Sequence, residues 1–148
     1  MTSWQHSFIE ELGALGPEMG IPRAMMRITA WMMVCDPPEQ SAQQIQEGLR
    51  LSAAAVSTGT RQLITAGMLE RVSHPGDRRI YYRLASGSWQ GPLEAKLRAL
   101  GRLRHVADQG IAAAGNQADY RLVEMRDAFA WFEDQLDHLI RNRRRPNP

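Results

Sequence analysis

SAQQIQEGLRLSAAAVSTGTRQLITAGMLERVSHPGDRRIYYRL, Ser41 to Leu84, is the stretch whose reading decides the fold. Ser41 is a good helix N-cap with Gln44 three residues on, the spacing of a capping box. Ile45 and Leu49 then fall on one face, and a corner at Gly48 to Leu51 ends this short helix. Ser52 opens a second helix, running to Ala66, that carries Val56, Leu63 and either Gly59 or Thr60 inward. Gly67 closes it, where a left-handed residue commonly stops a helix. Two short helices joined by a tight turn make a helix-turn-helix. Leu69 to Val72 reads as a strand, Ser73 to Arg79 as a loop and Ile80 to Leu84 as the returning strand. On that strand Ile80, Tyr82 and Leu84 take one face, Tyr81 and Arg83 the other. A hairpin directly after such a helix predicts a winged helix, and a mainly α fold with a small β-hairpin wing.

The outward face of the second helix holds Ala54, Ser57, Thr58 and Arg61, with Ser52 at its cap. No acid occurs from Leu51 to Met68. A solvated helix face ordinarily carries Glu and Lys, whereas a face meant for a polyanion excludes carboxylates and bulk. At the hairpin tip Arg78 and Arg79 follow Asp77, which is placed to brace Arg79 by a charge-assisted hydrogen bond. The partner so implied is double-stranded DNA, with the helix in the major groove and the tip at phosphates or an adjacent minor groove. Ala53, Ala54 and Ala55 offer only methyl groups, which favours thymine-methyl contacts and shape reading over hydrogen-bonded base readout.

On the N-terminal side, Ser3 to Leu15 puts Trp4, Phe8, Leu12 and Leu15 at helical spacing, and GPEMGIP is expected to break that helix. Arg23 to Cys35 is apolar nearly all round, so it reads as a buried helix, ended by Asp36-Pro37-Pro38. On the C-terminal side, helices are expected over Pro92 to Ala114 and Gln117 to Arg141. The last carries Leu122, Met125, Phe129, Phe132, Leu136 and Leu139 at spacings 3, 4, 3, 4, 3, a heptad seam assigned to dimerisation. The organisation is therefore N-terminal helices over residues 1–38 and the winged helix-turn-helix over 39–86. C-terminal dimerisation helices over 87–141 and a disordered basic tail over 142–148 complete it.

The 148 residues suit one domain, and a hydrophobic share of 43% with 23% charged is ordinary for a soluble protein. No apolar run is long enough to span a bilayer and the start does not read as a signal peptide, so a cytoplasmic location is expected. Of 18 basic residues only Lys96 is lysine. Arginine is the forked donor suited to phosphates and guanine edges. Against catalysis, Glu10 with Glu11 and Glu133 with Asp134 are adjacent acids that diverge on helices, and GALGPEMG follows no strand and is no phosphate loop. Asp134 with His138 and His105 with Asp108 share helix faces, while His6 and His74 stand alone. With no third ligand evident, neither metal nor cofactor is expected. Cys35, without a basic neighbour in sequence, reads as a structural thiol.

LSAAAVSTGTRQLITAGMLERV followed by GDRRIYYRL resembles the recognition helix, wing and Asp-x-Arg tip of the MarR family of bacterial transcription regulators. The N-terminal half, Phe8 to Ile45, is similar to the GbsR-like branch, whose members include regulators of glycine betaine synthesis. The resemblance implies a homodimeric repressor of a pseudopalindromic operator, often released by a small-molecule effector. It carries over Ser57, Thr58 and Arg61 as groove-facing positions and Asp77 with Arg79 as the wing pair, Arg78 being an additional phosphate candidate. The alanine run departs from the more basic or amide-rich recognition helices of many members. It also suggests that Trp4, Trp31, Trp89 and Trp131 supply an aromatic box for a quaternary ammonium effector, the alternative being that they anchor core and interface. A protein-interaction or architectural module that keeps the fold without a specific operator is the competing reading.

Overall fold

The computed structural model describes residues 1–143 and shows helices α1 (Ser3–Glu18), α2 (Arg23–Val34), α3 (Ala42–Leu49), α4 (Ala53–Thr65), α5 (Gln90–Ala114) and α6 (Tyr120–Arg143). Three strands, β1 (Gln40–Ser41), β2 (Leu69–Ser73) and β3 (Ile80–Leu84), form an antiparallel sheet in the order β1-β3-β2. The chain divides into two compact units, one through Pro92 and one from Leu93 onward. Leu139 of the expected seam and the basic ending, residues 144–148, lie outside the described residues.

In the first unit α1 does not stop at Leu15. It runs through Pro17 to Glu18. The terminator is Gly20, at φ +70, with Gly20 N–H on the Pro17 carbonyl at 3.1 Å and Ile21 N–H on that of Gly16 at 2.8 Å. That pair of bonds is a Schellman motif. Glu10 of α1 takes Arg23 at 2.7 Å and Arg27 at 2.8 Å from α2, so the two helices are tied by charge as well as packing.

The helix-turn-helix forms as its caps dictate. Ser41 accepts the Gln44 N–H and the Gln44 side chain returns to the Ser41 N–H at 2.8 Å, a complete capping box. Ile45 and Leu49 of α3, and Val56, Thr60 and Leu63 of α4, are buried with Ile9, Ile28, Ala30 and Met32. Both candidates for the inward position of α4 are therefore inside, Gly59 as well as Thr60. The corner turns at Arg50, whose backbone is left-handed at φ 51, and α4 begins at the Ser52 cap. Two small residues permit the close packing: a Cβ on Gly48 would meet the Trp31 ring at 2.3 Å, and one on Gly59 the Ile28 Cδ1 at 2.6 Å.

A second Schellman motif ends α4, with Gly67 N–H on Ile64 and Met68 N–H on Leu63, both at 2.9 Å. β2 follows at once. Its first residue, Leu69, is buried opposite Leu84, so the hairpin's base belongs to the core while its far end projects. The third strand, absent from the sequence reading, is only Gln40–Ser41 and pairs with Tyr82 and Tyr81 of β3.

In the second unit, α5 and α6 are joined through a 3-10 turn at Gly115–Gln117, which delays α6 to Tyr120, three residues beyond the expected start. Asp119 accepts the Arg121 N–H at 2.9 Å, the geometry of an N-cap. Leu122, Met125, Phe129 and Leu136 of the seam are half-buried within this unit, whereas Phe132 is 50% exposed. Leu122 lies against Gly110 of α5. Part of the seam is thus used inside the chain.

Candidate nucleic-acid interface

Along α4, Ser52, Ala54, Ser57, Thr58 and Arg61 are all exposed and lie opposite the buried Val56, Gly59, Thr60 and Leu63. Ser52, Ala54, Ser57 and Thr58 have short side chains, and Arg61 alone reaches outward. Thr60 turns its hydroxyl back to the Val56 carbonyl at 2.8 Å, so it adds nothing to the outer face. The Arg61 guanidinium has no hydrogen-bond or ionic partner among the described residues; its backbone carbonyl accepts the Thr65 hydroxyl at 3.1 Å. The result is a low face, free of acids, with one uncommitted guanidinium.

The wing tip is built by local chemistry. His74-Pro75-Gly76-Asp77 makes a β-turn closed by Asp77 N–H on the His74 carbonyl at 3.1 Å, with Gly76 at φ +82. Proline then glycine at the two central positions is what a type II turn requires. The turn delivers Asp77 to the residues that follow. Its carboxylate accepts the Arg79 backbone N–H at 2.9 Å, Arg79 Nε at 3.0 and 3.1 Å, Arg79 Nη2 at 2.8 Å and the Tyr81 hydroxyl at 2.9 Å. Arg79 Cζ also stands 5.4 Å from the Tyr81 ring centroid.

These bonds, led by the Arg79 guanidinium, hold the Asp77 carboxyl well below the usual carboxylate range. Asp77 in turn raises the pKa values of Arg79 and of the Tyr81 phenol. The Asp77 side chain is 25% exposed and that of Arg79 68%, so the acid is covered while the arginine remains available through its Nη1 edge. Arg78, beside this clamp, is exposed and has no partner among the described residues. The sequence reading found the Asp77–Arg79 pair but missed Tyr81, whose position four residues after Asp77 was its only signal.

It also missed the fastening of the wing's base. Glu39 receives His74 Nε2 at 2.7 Å and Arg83 Nη1 at 3.2 Å, and Arg83 Nε reaches Glu70 directly across the ladder at 2.5 Å. The His74 ring stands edge-on to Tyr81 at 5.2 Å. A chain of contacts therefore runs from the segment before α3 through His74 and Tyr81 to the tip. Arg71, on β2 beside Tyr82, is a further exposed arginine without a partner among the described residues.

The other candidates separate from this surface. Trp31 packs its ring on Gly48, and its buried Nε1 has no hydrogen-bond partner among the described residues. Trp4 and Trp89 are exposed, and within the first unit no two tryptophan rings pair among the described residues. Trp131 pairs edge-on with Phe132 at 5.5 Å in the second unit. Among the described residues no group of three His, Cys, Asp or Glu could hold a metal ion, and Glu10 is committed to its two arginines. Burial pushes the Cys35 thiol up to about 11.

Comparison with known proteins follows the same division of the chain. The MarR family model matches residues 34–81. A model described as MmpR5-like MarR family transcriptional regulator matches residues 87–142. The chain is 35% identical over 136 residues to the HTH-type transcriptional regulator MmpR5 of Mycobacterium tuberculosis, covering 90% of this chain and 82% of that protein. A crystal structure described as that of a transcriptional regulator is similar at TM-score 0.73 and 34% identity, covering 95% of this chain and 99% of its own.

Proposed function

This chain belongs to the MarR family of transcriptional regulators, and from that premise we propose that it acts in the cytoplasm as a homodimeric repressor released by a small-molecule effector. Its DNA-binding winged helix reads a pseudopalindromic operator, each protomer laying α4 in a major groove. Ser52, Ala54, Ser57 and Thr58 approach base edges closely, and Arg61 meets a base or phosphate. Arg79, held by Asp77, enters or flanks the adjacent minor groove, with Arg78 on a phosphate. The observation that carries this reading is the clamp at the tip: a guanidinium fixed by an acid, yet exposed, beside a helix face from which acids are absent.

Dimerisation is supported by apolar surface. In the second unit Leu93, Leu103, Val106, Tyr120, Trp131 and Phe132 are each at least 40% exposed, more than a solitary helical pair ordinarily leaves to water. With the half-buried seam of Leu122, Met125, Phe129 and Leu136, they supply a face for a second copy. Pairing sets the two α4 helices about 34 Å apart, or a multiple of that, and an effector acts by favouring one spacing. The tryptophans remain the proposed effector contacts only as separate anchors. Within the family, the GbsR-like affinity rests on residues 8–45 alone, while the match over residues 87–142 is to the MmpR5-like group.

Selection of binding sites from random duplex DNA at physiological salt tests the proposal. A palindrome with two equivalent half-sites, bound by a dimer in sedimentation, is the expected result. Arg79→Ala should then weaken the selected site strongly without unfolding the protein, and Arg61→Ala should lower the salt slope by about one if it meets phosphate. Binding that is only salt-sensitive and general favours the architectural module, a second reading that the methyl-only Ala53–Ala55 segment keeps in play.

A further inference from the structure

Residues 73–79 carry the wing arginines proposed to meet DNA, yet they project beyond the part of the hairpin that the core holds. Leu69, paired with Leu84, is buried at the base, and β1 meets β3 only at Tyr81 and Tyr82. A two-stranded ribbon without a third strand or a packed face is marginal in water, so its aim depends on side-chain ties. Among the described residues a single hydrogen-bonded ion pair joins the side chains of residues 73–79 to anything outside the hairpin. It is His74 Nε2 on Glu39 at 2.7 Å.

Both ends of that tie are placed to transmit. Glu39 directly precedes β1, where Gln40 is 3% exposed with its amide on the Pro37 carbonyl at 2.7 Å, and Ser41 caps α3. The carboxylate is therefore mounted on the frame that carries the helix-turn-helix. His74 is the first residue of the tip turn, since its carbonyl accepts the Asp77 N–H. Its ring stands edge-on to Tyr81, whose hydroxyl bonds Asp77, and Asp77 holds Arg79. The ionisable groups around the imidazole are Glu39 and, from β3, Tyr81 and Arg83, with Asp77 and Arg79 beyond Tyr81. Arg83 shares Glu39 at 3.2 Å but is also held by Glu70 of β2, so it has a second acid when His74 competes for the first. Imidazole is the side chain that changes charge between about pH 5 and 8. A neutral ring donates an ordinary hydrogen bond to Glu39, whereas imidazolium makes a charge-assisted one, roughly twice as strong.

We propose that protonation of His74 fastens the wing to the helix-turn-helix through Glu39, so that Glu39 is a positioning residue and preference for the selected duplex sharpens as pH falls. The effect on DNA rests on the reading given above; the fastening itself does not.

The fastening is read in the free full chain by hydrogen exchange at the Asp77 and Arg79 amides, corrected for the intrinsic pH dependence of exchange. An exposed pair of this kind is worth about two- to fivefold, so protection at both amides should rise by that factor from about pH 8 to about pH 5.5. Glu39→Gln keeps a side chain of the same length and leaves Arg83 on Glu70. In that variant, and in His74→Gln, protection should not change with pH. The coupling is read by fluorescence anisotropy with selected and shuffled duplexes at constant ionic strength. The selected-to-shuffled ratio should rise about two- to fivefold for each wing bound in the parent and stay level in both variants. Glu39→Gln keeps the imidazolium charge, so its affinity for both duplexes should still rise in acid, which separates aiming from simple attraction. Protection that is flat in the parent, or that rises equally in Glu39→Gln, overturns the fastening. A ratio that stays level while protection rises overturns the coupling to DNA. If the parent selects no duplex, the DNA reading fails and hydrogen exchange still decides the fastening.

Discussion

Replacing Asp77 by asparagine sets two consequences of the wing clamp against each other. The carboxylate accepts five hydrogen bonds, four from Arg79 and one from Tyr81. Asparagine keeps one acceptor oxygen and turns the other site into a donor, so the bonds from Arg79 Nη2 and Tyr81 are lost and Arg79 is released. The chain also gains one unit of positive charge. The extra charge attracts any duplex, and at a Debye length of about 8 Å it is worth less than roughly threefold in affinity. It acts on selected and shuffled DNA alike, so it cancels in their ratio. Loss of ordering does not cancel: a free arginine must give up its rotamers on the selected site, at a cost of roughly tenfold for each wing bound, whereas loose binding demands no fixed geometry. Asp77→Asn is therefore expected to raise affinity for shuffled DNA slightly while lowering the selected-to-shuffled ratio about tenfold or more. Fluorescence anisotropy with both duplexes over a salt series measures this, with circular dichroism to confirm the fold. An unchanged ratio would refute the claim that the clamp pre-positions Arg79.

Gly48→Ala should lower the melting temperature by roughly 3–6 °C: a Cβ 2.3 Å from the rigid Trp31 ring costs about 1–3 kcal/mol, only partly offset by the gain of about 1 kcal/mol in helix propensity. A rise instead would mean that Trp31 yields freely. Glu10→Gln should cost about 1 kcal/mol at neutral pH after allowance for solvent screening. Because Arg23, then Arg27, lower the folded pKa of Glu10, its contribution is present above the ordinary carboxylate range and disappears as pH falls through the folded value. Chemical denaturation at successive pH values should show parent and variant converging in acid; a constant gap rejects the ion pair as the cause. Cys35, with its thiol at about 11 rather than 9.0, should react with a disulfide reagent at pH 8 about 100-fold more slowly than an open cysteine, read by absorbance in the folded protein. Labelling at the open rate would show that the thiol is not shielded.

The helix-turn-helix was legible because its determinants are local: Ser41 with Gln44, Ser52 at a cap and Gly67 at a stop each act within four residues. The tip was legible for the same reason, since Asp77 and Arg79 are two apart. What escaped depends on contacts distant in sequence. Glu39 meets His74 and Arg83 across 35 and 44 residues, and β1 is two residues long, too short to show an alternating pattern. Pro17 misled because proline signals a break wherever it stands, while the chain turned at Gly20. The heptad seam showed that α6 wants a neighbour without saying which one, and α5 of the same chain takes part of it. Composition alone was weaker still.

The net charge of +2 conceals a sorting of arginines by task that position reveals. In the first unit Arg23 and Arg27 are held by Glu10 and Arg83 by Glu39 and Glu70, and these serve the fold. In this unit Arg50, Arg61, Arg71 and Arg78 have no such side-chain partner among the described residues and lie in the turn, α4 or the wing, while Arg102 of α5 is likewise without one in the second unit. A genome-wide bias toward arginine would scatter uncommitted guanidinium groups over every surface of that unit. If Arg61, Arg71, Arg78 and the braced Arg79 each met a phosphate, a dimer would neutralise about eight and log affinity would fall with log salt at a slope near −7. Should Arg79 or Arg61 read bases instead, the slope drops toward −5 while sequence preference sharpens. The two measurements taken together thus assign roles that neither assigns alone, and a slope near zero would leave the segregated arginines without a polyanion to explain them.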